Sequence, residues 1–468
     1  MLWLALHFPD LPLEVFSRGV ATPEPLAVAE KRANRTRVVA CNQAAAAGGV
    51  RVGMPAPAAQ ALVTGLVVRG RDAVAEGEAL AGLATWAGRF TPSVSLQPPY
   101  GLLLEIGGCL RLHHGLDNLL ARVKTGLEAL GYAAFHACAP TPHGAWLLAR
   151  AGTAACLRDQ AQLEQSLAAL PVGLLAQPAE VLEGLAMVGA HTLGECLRLP
   201  RAGLARRFGR GLVEELTRAL GEVPEARAFF VPPPHFERRL ELPASVEAAE
   251  ALLFAARRLL PELEGFLVLR QAGVQELELL CRHEDAPDTV VSLGFVEPAR
   301  DIERMLLLLR ETLGRTSLLA PVHAIVLKAA HVLPLAAASG DLFEEKTGAG
   351  DGRLLLERLR ARLGKEAVYG LAPSADHRPE RAWQACEAGK NAALPGNAHR
   401  PLWLLPRPVP CRDGRIVLKA GPERIESGWW DGHGVARDYY VARDGDGARL
   451  WVYCDRVSGE WFVHGLFA

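Results

Sequence analysis

The chain opens on an unbroken apolar run, Leu2-Trp3-Leu4-Ala5-Leu6, followed by His7-Phe8 and a polar turn at Pro9-Asp10. A run this short, closed by a turn, predicts a buried strand rather than a helix. A second such run, Leu102 to Ile106, lies between a Pro98-Pro99-Tyr100-Gly101 turn and the Gly107-Gly108 pair. It predicts a central strand interrupted by one carboxylate, Glu105. Helical spacing appears at about Ala73 to Gly88, where Leu80, Leu83 and Trp86 read as core, and again at Leu116–Leu130 and Pro142–Arg150. Ala133–Cys138 predicts another strand. Pro25–Glu30 and Arg37–Asn42 predict two more, around the basic turn Lys31–Arg35.

Leu170 to Leu220 reads as a string of short helices, and the proline-rich Phe229–His235 as a stiff linker. Beyond it the pattern predicts strand Phe236–Leu242, helix Val246–Leu260, strands Gly265–Arg270, Gln275–Arg282 and Thr289–Phe295, helix Asp301–Leu313 and strand Pro321–Ala329. From Ile416 onward the chain is aromatic and turn-rich. Arg415–Lys419, Asp438–Ala442, Arg449–Asp455 and Glu460–His464 read as strands, with Asp444-Gly445-Asp446-Gly447 as a hairpin turn. Most of these aromatics fit the core of a small barrel, and Trp429-Trp430 is also a candidate base-stacking pair. The fold class is therefore α+β and multidomain, with a small, mostly β C-terminal domain.

The 468 residues exceed one ordinary core, so three or four domains are expected. Half the residues are hydrophobic and 22% are charged, as in a globular chain, and the net charge of −1 neither supports nor excludes nucleic acid. No apolar run reaches spanning length, and the first residues lack a basic n-region and a cleavage site. The nine cysteines are scattered, with no C-x-x-C pair. That argues against a zinc site or disulfide framework, fits a reducing cytoplasm, and makes each cysteine a small buried apolar residue.

The two strand runs and the segment between them resemble the Y-family translesion DNA polymerases. Asn42, Ala45, Gly49, Val50, Gly53, Met54 and Pro55 fall in register with that family's fingers segment, and Leu104-Glu105-Ile106-Gly107-Gly108 with a palm strand. The resemblance implies a palm at 1–165 with a fingers insertion at about 20–72, and a helical thumb at 166–228. It further implies a little-finger-like α+β domain at 235–332, a linker region at 333–410 and a β-rich domain at 411–468. It also implies where the chemistry of active relatives would sit, and those positions are degenerate. The metal-binding acids fall on His7, Pro9, Tyr100 and Gly101, leaving Glu105 as a remnant expected to be structural. Asp10 lies one residue from the family's position. The triphosphate-contacting Tyr and Arg become Gln43 and Ala46, and an Ala cannot hold phosphate. The helix 142–150 offers no Lys. The thumb's phosphate-cradling Gly-x-Gly falls on Ala176-Gln177-Pro178, where proline has no N–H to give.

What remains for DNA is basic: Arg201, Arg206, Arg207 and Arg210 in the thumb, and Arg257, Arg258, Arg270, Arg282 and Arg300 in the little finger. Ser339-Gly340-Asp341-Leu342-Phe343 resembles a sliding-clamp-binding peptide, with Leu342-Phe343 as its apolar anchor. Asp376–Trp383, Gly421–Trp430, Arg437–Tyr440 and Trp461–Ala468 resemble C-terminal motifs of the Y-family-like subunit of bacterial mutagenesis cassettes. The resemblance therefore implies a catalytically inactive adaptor in the SOS response to DNA damage, cytoplasmic, with no metal and no cofactor. Its partners would be primer-template DNA, the β sliding clamp, a DnaE-type error-prone polymerase and a RecA-like accessory protein. Two alternatives stand beside it: an active DNA polymerase with an atypical Mg²⁺ site, and a DNA-structure binder with no polymerase partner.

Overall fold

A computed structural model describes residues 1–18, 24–32, 35–335, 349–388, 400–401, 403–411 and 416–467. The chain forms two compact units that divide within the undescribed stretch 336–348. The clamp-peptide candidate Ser339, Asp341, Leu342 and Phe343 lies outside the described residues.

The first unit begins with β1 (Trp3–His7) and α1 (Leu11–Ser17), then β2 (Leu26–Arg32), β3 (Arg35–Cys41), α2 (Gln43–Ala47), α3 (Ala56–Leu62) and β4 (Val67–Gly70). The chain returns through α4 (Ala73–Ala87), β5 (Val94–Gln97), β6 (Gly101–Glu105), α5 (Leu116–Leu130), β7 (Phe135–Ala139) and α6 (Pro142–Arg150). Strands β2, β3 and β4 make a small separate sheet, and the main sheet has the order β5-β6-β1-β7. Leu4, Leu6, Leu102 and Leu104 pack on one face against α4 and α5, while Trp3, Ala5 and Leu103 pack on the other against α6. Burial on both faces is why β1 and β6 read as continuous apolar runs rather than alternations. Each fully buried leucine contributes about 1.5–3 kcal/mol of transfer free energy.

Five short helices follow: α7 (Gln160–Ala168), α8 (Ala179–Met187), α9 (Leu193–Leu197), α10 (Arg201–Phe208) and α11 (Arg210–Ala219). They share their core with the α6 face of the sheet.

The next segment is β8 (Glu237–Val246), α12 (Leu252–Leu269), β9 (Ala272–His283), β10 (Thr289–Ala299), α13 (Ile302–Leu313) and β11 (Val322–Pro334), with sheet order β10-β9-β11-β8. The strand expected at Gly265–Arg270 is instead the end of α12, which runs through Pro261. Leu259, Leu260, Leu263, Phe266 and Leu267 keep helical spacing across the proline. Gly265 is not a breaker there. A Cβ on it would stand 2.2 Å from the Thr85 carbonyl oxygen and 2.8 Å from Trp86 Cα, so glycine is what lets α12 cross α4 so closely. Glu262 on the same helix, 2% exposed, pairs with Arg18 after α1 at 3.3 Å and with Arg238 on β8 at 3.1 Å.

The second unit contains α14 (Ala349–Leu363), the hairpin β12 (Tyr369–Pro373) and β13 (Trp383–Glu387), then β14 (Trp403–Pro410), β15 (Val417–Ser427), β16 (Val435–Arg443), β17 (Arg449–Asp455) and β18 (Trp461–Leu466). The last five form one antiparallel sheet in the order β14-β18-β17-β16-β15. Among the described residues no ladder closes it into the expected barrel. Pro406, Pro408 and Pro410 sit on edge strand β14, where a missing N–H breaks no inner ladder. Tyr439, Trp451 and Tyr453 are its core, with Tyr439 stacked on Trp451 at 4.1 Å, while Trp429 and Trp430 stand 82% and 61% exposed. Among the described residues, no helix is long and apolar enough to cross a membrane.

Candidate functional site

His7, Pro9, Tyr100 and Gly101, the positions expected to be degenerate, lie at one end of the main sheet. His7 lies opposite Gly101 on β6 and Phe135 on β7, and the Phe8 N–H donates to the Tyr100 carbonyl at 2.8 Å. By alternation, His7, Gly101 and Phe135 project to the same face as Trp3 and Ala5, the face covered by α6. That helix delivers Trp146, 7% exposed, onto the row. The indole meets His7 edge-on at 5.3 Å, and His7 stacks on Phe135 at 6.5 Å. A Cβ at Gly101 would lie 2.2 Å from Trp146 Cζ3 and 2.4 Å from Cη2. The indole therefore occupies the space that a carboxylate side chain at 101 would need.

The electrostatics follow. Burial, and secondly the charge of Arg150, pull the His7 imidazole down to about 4, so it is neutral at pH 7. Its Nδ1 is buried without a hydrogen-bond partner. Glu105 is four residues from Gly101, about 13 Å along an extended strand. Its Oε1 accepts from the Leu2 N–H at 3.3 Å and the Gly107 N–H at 3.1 Å, tying together the far end of the sheet. Asp10 is exposed at the start of α1, where its carbonyl accepts from Leu13 and Glu14. Two-metal phosphoryl transfer needs carboxylates that bridge ions about 3.5–4 Å apart, and His7, Gly101 and Trp146 do not fit Mg²⁺, a cation that takes oxygen ligands. No group of three or more metal-ligating side chains exists among the described residues.

In the small β2-β3-β4 region, the residues in family register have structural work. Asn42 caps α2 by accepting from the Ala45 N–H at 2.9 Å, and also accepts from the Leu26 N–H at 3.0 Å. Gly49 and Gly53 take φ of 95° and 88°, which other residues rarely adopt. Gln43 is exposed, and Ala46 presents only a methyl group.

Under the helical region, Ala176-Gln177-Pro178 leads into α8. The Ala176 N–H, where a phosphate cradle would point outward, donates inward to Glu215 at 2.8 Å, and the Gln177 amide donates to the same carboxylate at 2.6 Å. His143 completes the cluster at 3.2 Å. Burial pushes the Glu215 carboxyl up, but these hydrogen bonds prevail and hold it below its ordinary value. Sequence reasoning missed both Glu215 and Trp146, since neither belongs to a motif.

Of the expected DNA-contacting arginines, Arg201 is engaged by Glu222, while Arg206 and Arg207 stand exposed on α10. Arg257 and Arg258 lie on α12, and Arg270 directly follows it. These positions belong to the helix and its C-terminal end, not to the strands. On the strands themselves, Arg239 pairs with Glu241 at 2.7 Å, Arg282 with Asp288 at 2.7 Å and Lys328 with Glu237 at 3.3 Å.

Residues 20–150 match the impB/mucB/samB family model. The chain is 30% identical over 458 residues to Protein ImuB of Caulobacter vibrioides, in strain NA1000 / CB15N and equally in strain ATCC 19089 / CIP 103742 / CB 15. The match spans 90% of this chain and all of that protein. Among solved structures, the insertion ternary complex of Dbh DNA polymerase is similar at 17% identity and TM-score 0.41, covering 72% of this chain and 100% of that one. DinB from Sulfolobus solfataricus is similar at 17% identity and TM-score 0.40, with the same coverage. With a full-length relative at that identity and the family model over its first part, the chain belongs to the ImuB family and carries a Y-family polymerase-like domain.

Proposed function

We propose that this protein is a non-catalytic Y-family polymerase homologue, acting as an adaptor in SOS-induced, error-prone translesion DNA synthesis. One observation carries the reading: Trp146 fills the volume above Gly101 and His7 that metal-bound carboxylates would need. The inward-turned Ala176 N–H and the methyl of Ala46 support the same direction, because nucleotide and phosphate grips are reduced along with the metal site. What the fold retains is a scaffold for docking. Arg206, Arg207, Arg257, Arg258 and Arg270 provide backbone contacts to primer-template DNA, a salt-sensitive and sequence-independent mode. The Ser339-to-Phe343 peptide inserts Leu342-Phe343 into an apolar pocket of the β sliding clamp. A DnaE-type polymerase and a RecA-like accessory protein then assemble on this platform in the cytoplasm, and the polymerase supplies the chemistry that this chain lacks.

Co-purification tests the adaptor role. The full-length protein should retain the clamp, and the Leu342→Ala/Phe343→Ala variant should lose it. Failure of the wild type to retain the clamp would contradict the peptide assignment.

A further inference from the structure

Cys138 and Cys156 face each other across a short piece of parallel sheet. The Cys138 N–H donates to the Ala155 carbonyl at 2.7 Å and the Leu157 N–H donates to the Cys138 carbonyl at 2.9 Å, which sets Cys156 directly opposite Cys138. Strands paired this way lie about 4.8 Å apart. That separation falls inside the Cα window of about 4.4–6.8 Å in which a disulfide closes without moving the backbone. Residues directly opposite on neighbouring strands carry their side chains on the same side, so the two thiols are neighbours. Cys138 is buried in the sheet and Cys156 is exposed. This pair departs from the expectation that every cysteine is simply a small core residue.

We propose that Cys138 and Cys156 form a redox-modification site that hydrogen peroxide closes into a disulfide. The division of labour follows from the environments. The neighbouring Cys138 lowers the Cys156 thiol below its ordinary value, against the opposing pull of burial and Asp117 and with help from Arg158, while Cys138 is pushed up. Cys156 is therefore the nucleophile, since the thiolate is the reactive form. Its sulfur attacks the peroxide, the O–O bond breaks, an S–O bond forms, and hydroxide leaves to become water. The Cys138 sulfur then attacks the Cys156 sulfenic acid, the S–S bond forms, and the departing hydroxide takes the Cys138 proton as a second water. Two thiols and one peroxide give one disulfide and two waters; sulfur loses two electrons and oxygen gains them.

The bond would tie the connector between α6 and α7 to edge strand β7 and close a loop containing α6 and Trp146. With the Cys156 sulfur exposed, such a disulfide is open to attack by a reducing thiol and is therefore reversible.

The test uses the full-length reduced protein, titrated with hydrogen peroxide, quenched with iodoacetamide and digested without reductant for mass spectrometry. The expected result is joint loss of alkylation at both cysteines, with a cross-link between residues 125–150 and 151–158 that dithiothreitol reverses. Amide exchange at Leu157 should slow in the oxidised protein. Cys138→Ala should instead leave a sulfenic acid on Cys156 that dimedone traps. Wild-type protein in which both cysteines stay alkylatable, or in which Cys156 oxidises while Cys138 remains free, overturns the proposal whatever the variant does.

Discussion

An acid placed at position 101 should destabilise this protein. In Gly101→Glu the new Cβ meets Trp146 Cζ3 at 2.2 Å, Cη2 at 2.4 Å and the Gln97 carbonyl at 3.1 Å, where ordinary carbon contacts are about 3.5–4.0 Å. The indole is 7% exposed and belongs to the core that also holds Leu103, Ala145 and Leu170, so displacing it disturbs packed side chains. Overpacking of this kind costs about 1–3 kcal/mol. The carboxyl group adds a desolvation cost of about 1–3 kcal/mol on the scale of protein mutational data. A loss of about 3 kcal/mol, at a urea slope of about 3 kcal/mol/M, lowers the unfolding midpoint by about 1 M. The cause is separable by a double-mutant cycle. Trp146→Ala alone should cost about 3–5 kcal/mol, and Gly101→Glu in that background should cost about 1–3 kcal/mol less than in the wild type. Unfolding followed by circular dichroism reads all four proteins. An unmoved midpoint in Gly101→Glu, or an equal cost with and without Trp146, would refute the claim that the indole fills the site.

Three further outcomes follow from the same geometry. His7 is neutral when folded down to about pH 4, whereas the unfolded imidazole takes a proton below about 6.5. The unfolded state then binds more protons, so this share of stability is lost as pH falls from 6.5 to 4; an imidazole titration by nuclear magnetic resonance with a midpoint near 6.5 would contradict it. Gly265→Val drives a side chain into the backbone of α4 and should cost about 1–3 kcal/mol or more, while Gly294→Val, with open space at its Cβ, should leave the urea midpoint nearly unchanged. Glu215→Ala strands the Ala176 N–H, the Gln177 amide and His143, a loss of about 1.5–3 kcal/mol for charged hydrogen bonds. Because the folded Glu215 carboxyl lies below its ordinary value, its contribution should fade as pH falls below about 4.5, and a variant with an unchanged acid limb would show the cluster to be idle.

Much of the fold was legible because its signals are local. The runs at Leu2–Leu6 and Leu102–Ile106 are buried on both faces, and helices α5 and α6 span the residues that helical spacing predicts. Gly265 misled because a glycine in an apolar stretch looks the same whether it ends a helix or admits a neighbouring one. The opposing backbone of Thr85 is far away in sequence. The site divides in the same way. Comparison with a family motif singled out His7 and Gly101, but the side chain that packs over them could not be read from it. Trp146 reaches Gly101 from a separate helix, and Glu215 reaches Ala176 from the far end of the helical region. Both are long-range contacts without a sequence pattern. The cysteine pair escaped for the same reason, since its pairing is made by backbone hydrogen bonds across the α6 loop.

Primer extension by the purified full-length protein, on intact and lesion-bearing templates with magnesium and then manganese, tests the non-catalytic reading most directly. The filled site predicts no nucleotide addition with either ion, and none from a Glu105→Ala variant. Extension by the wild type that disappears in Glu105→Ala would contradict it, and would make Glu105 a working ligand of an unusual metal site.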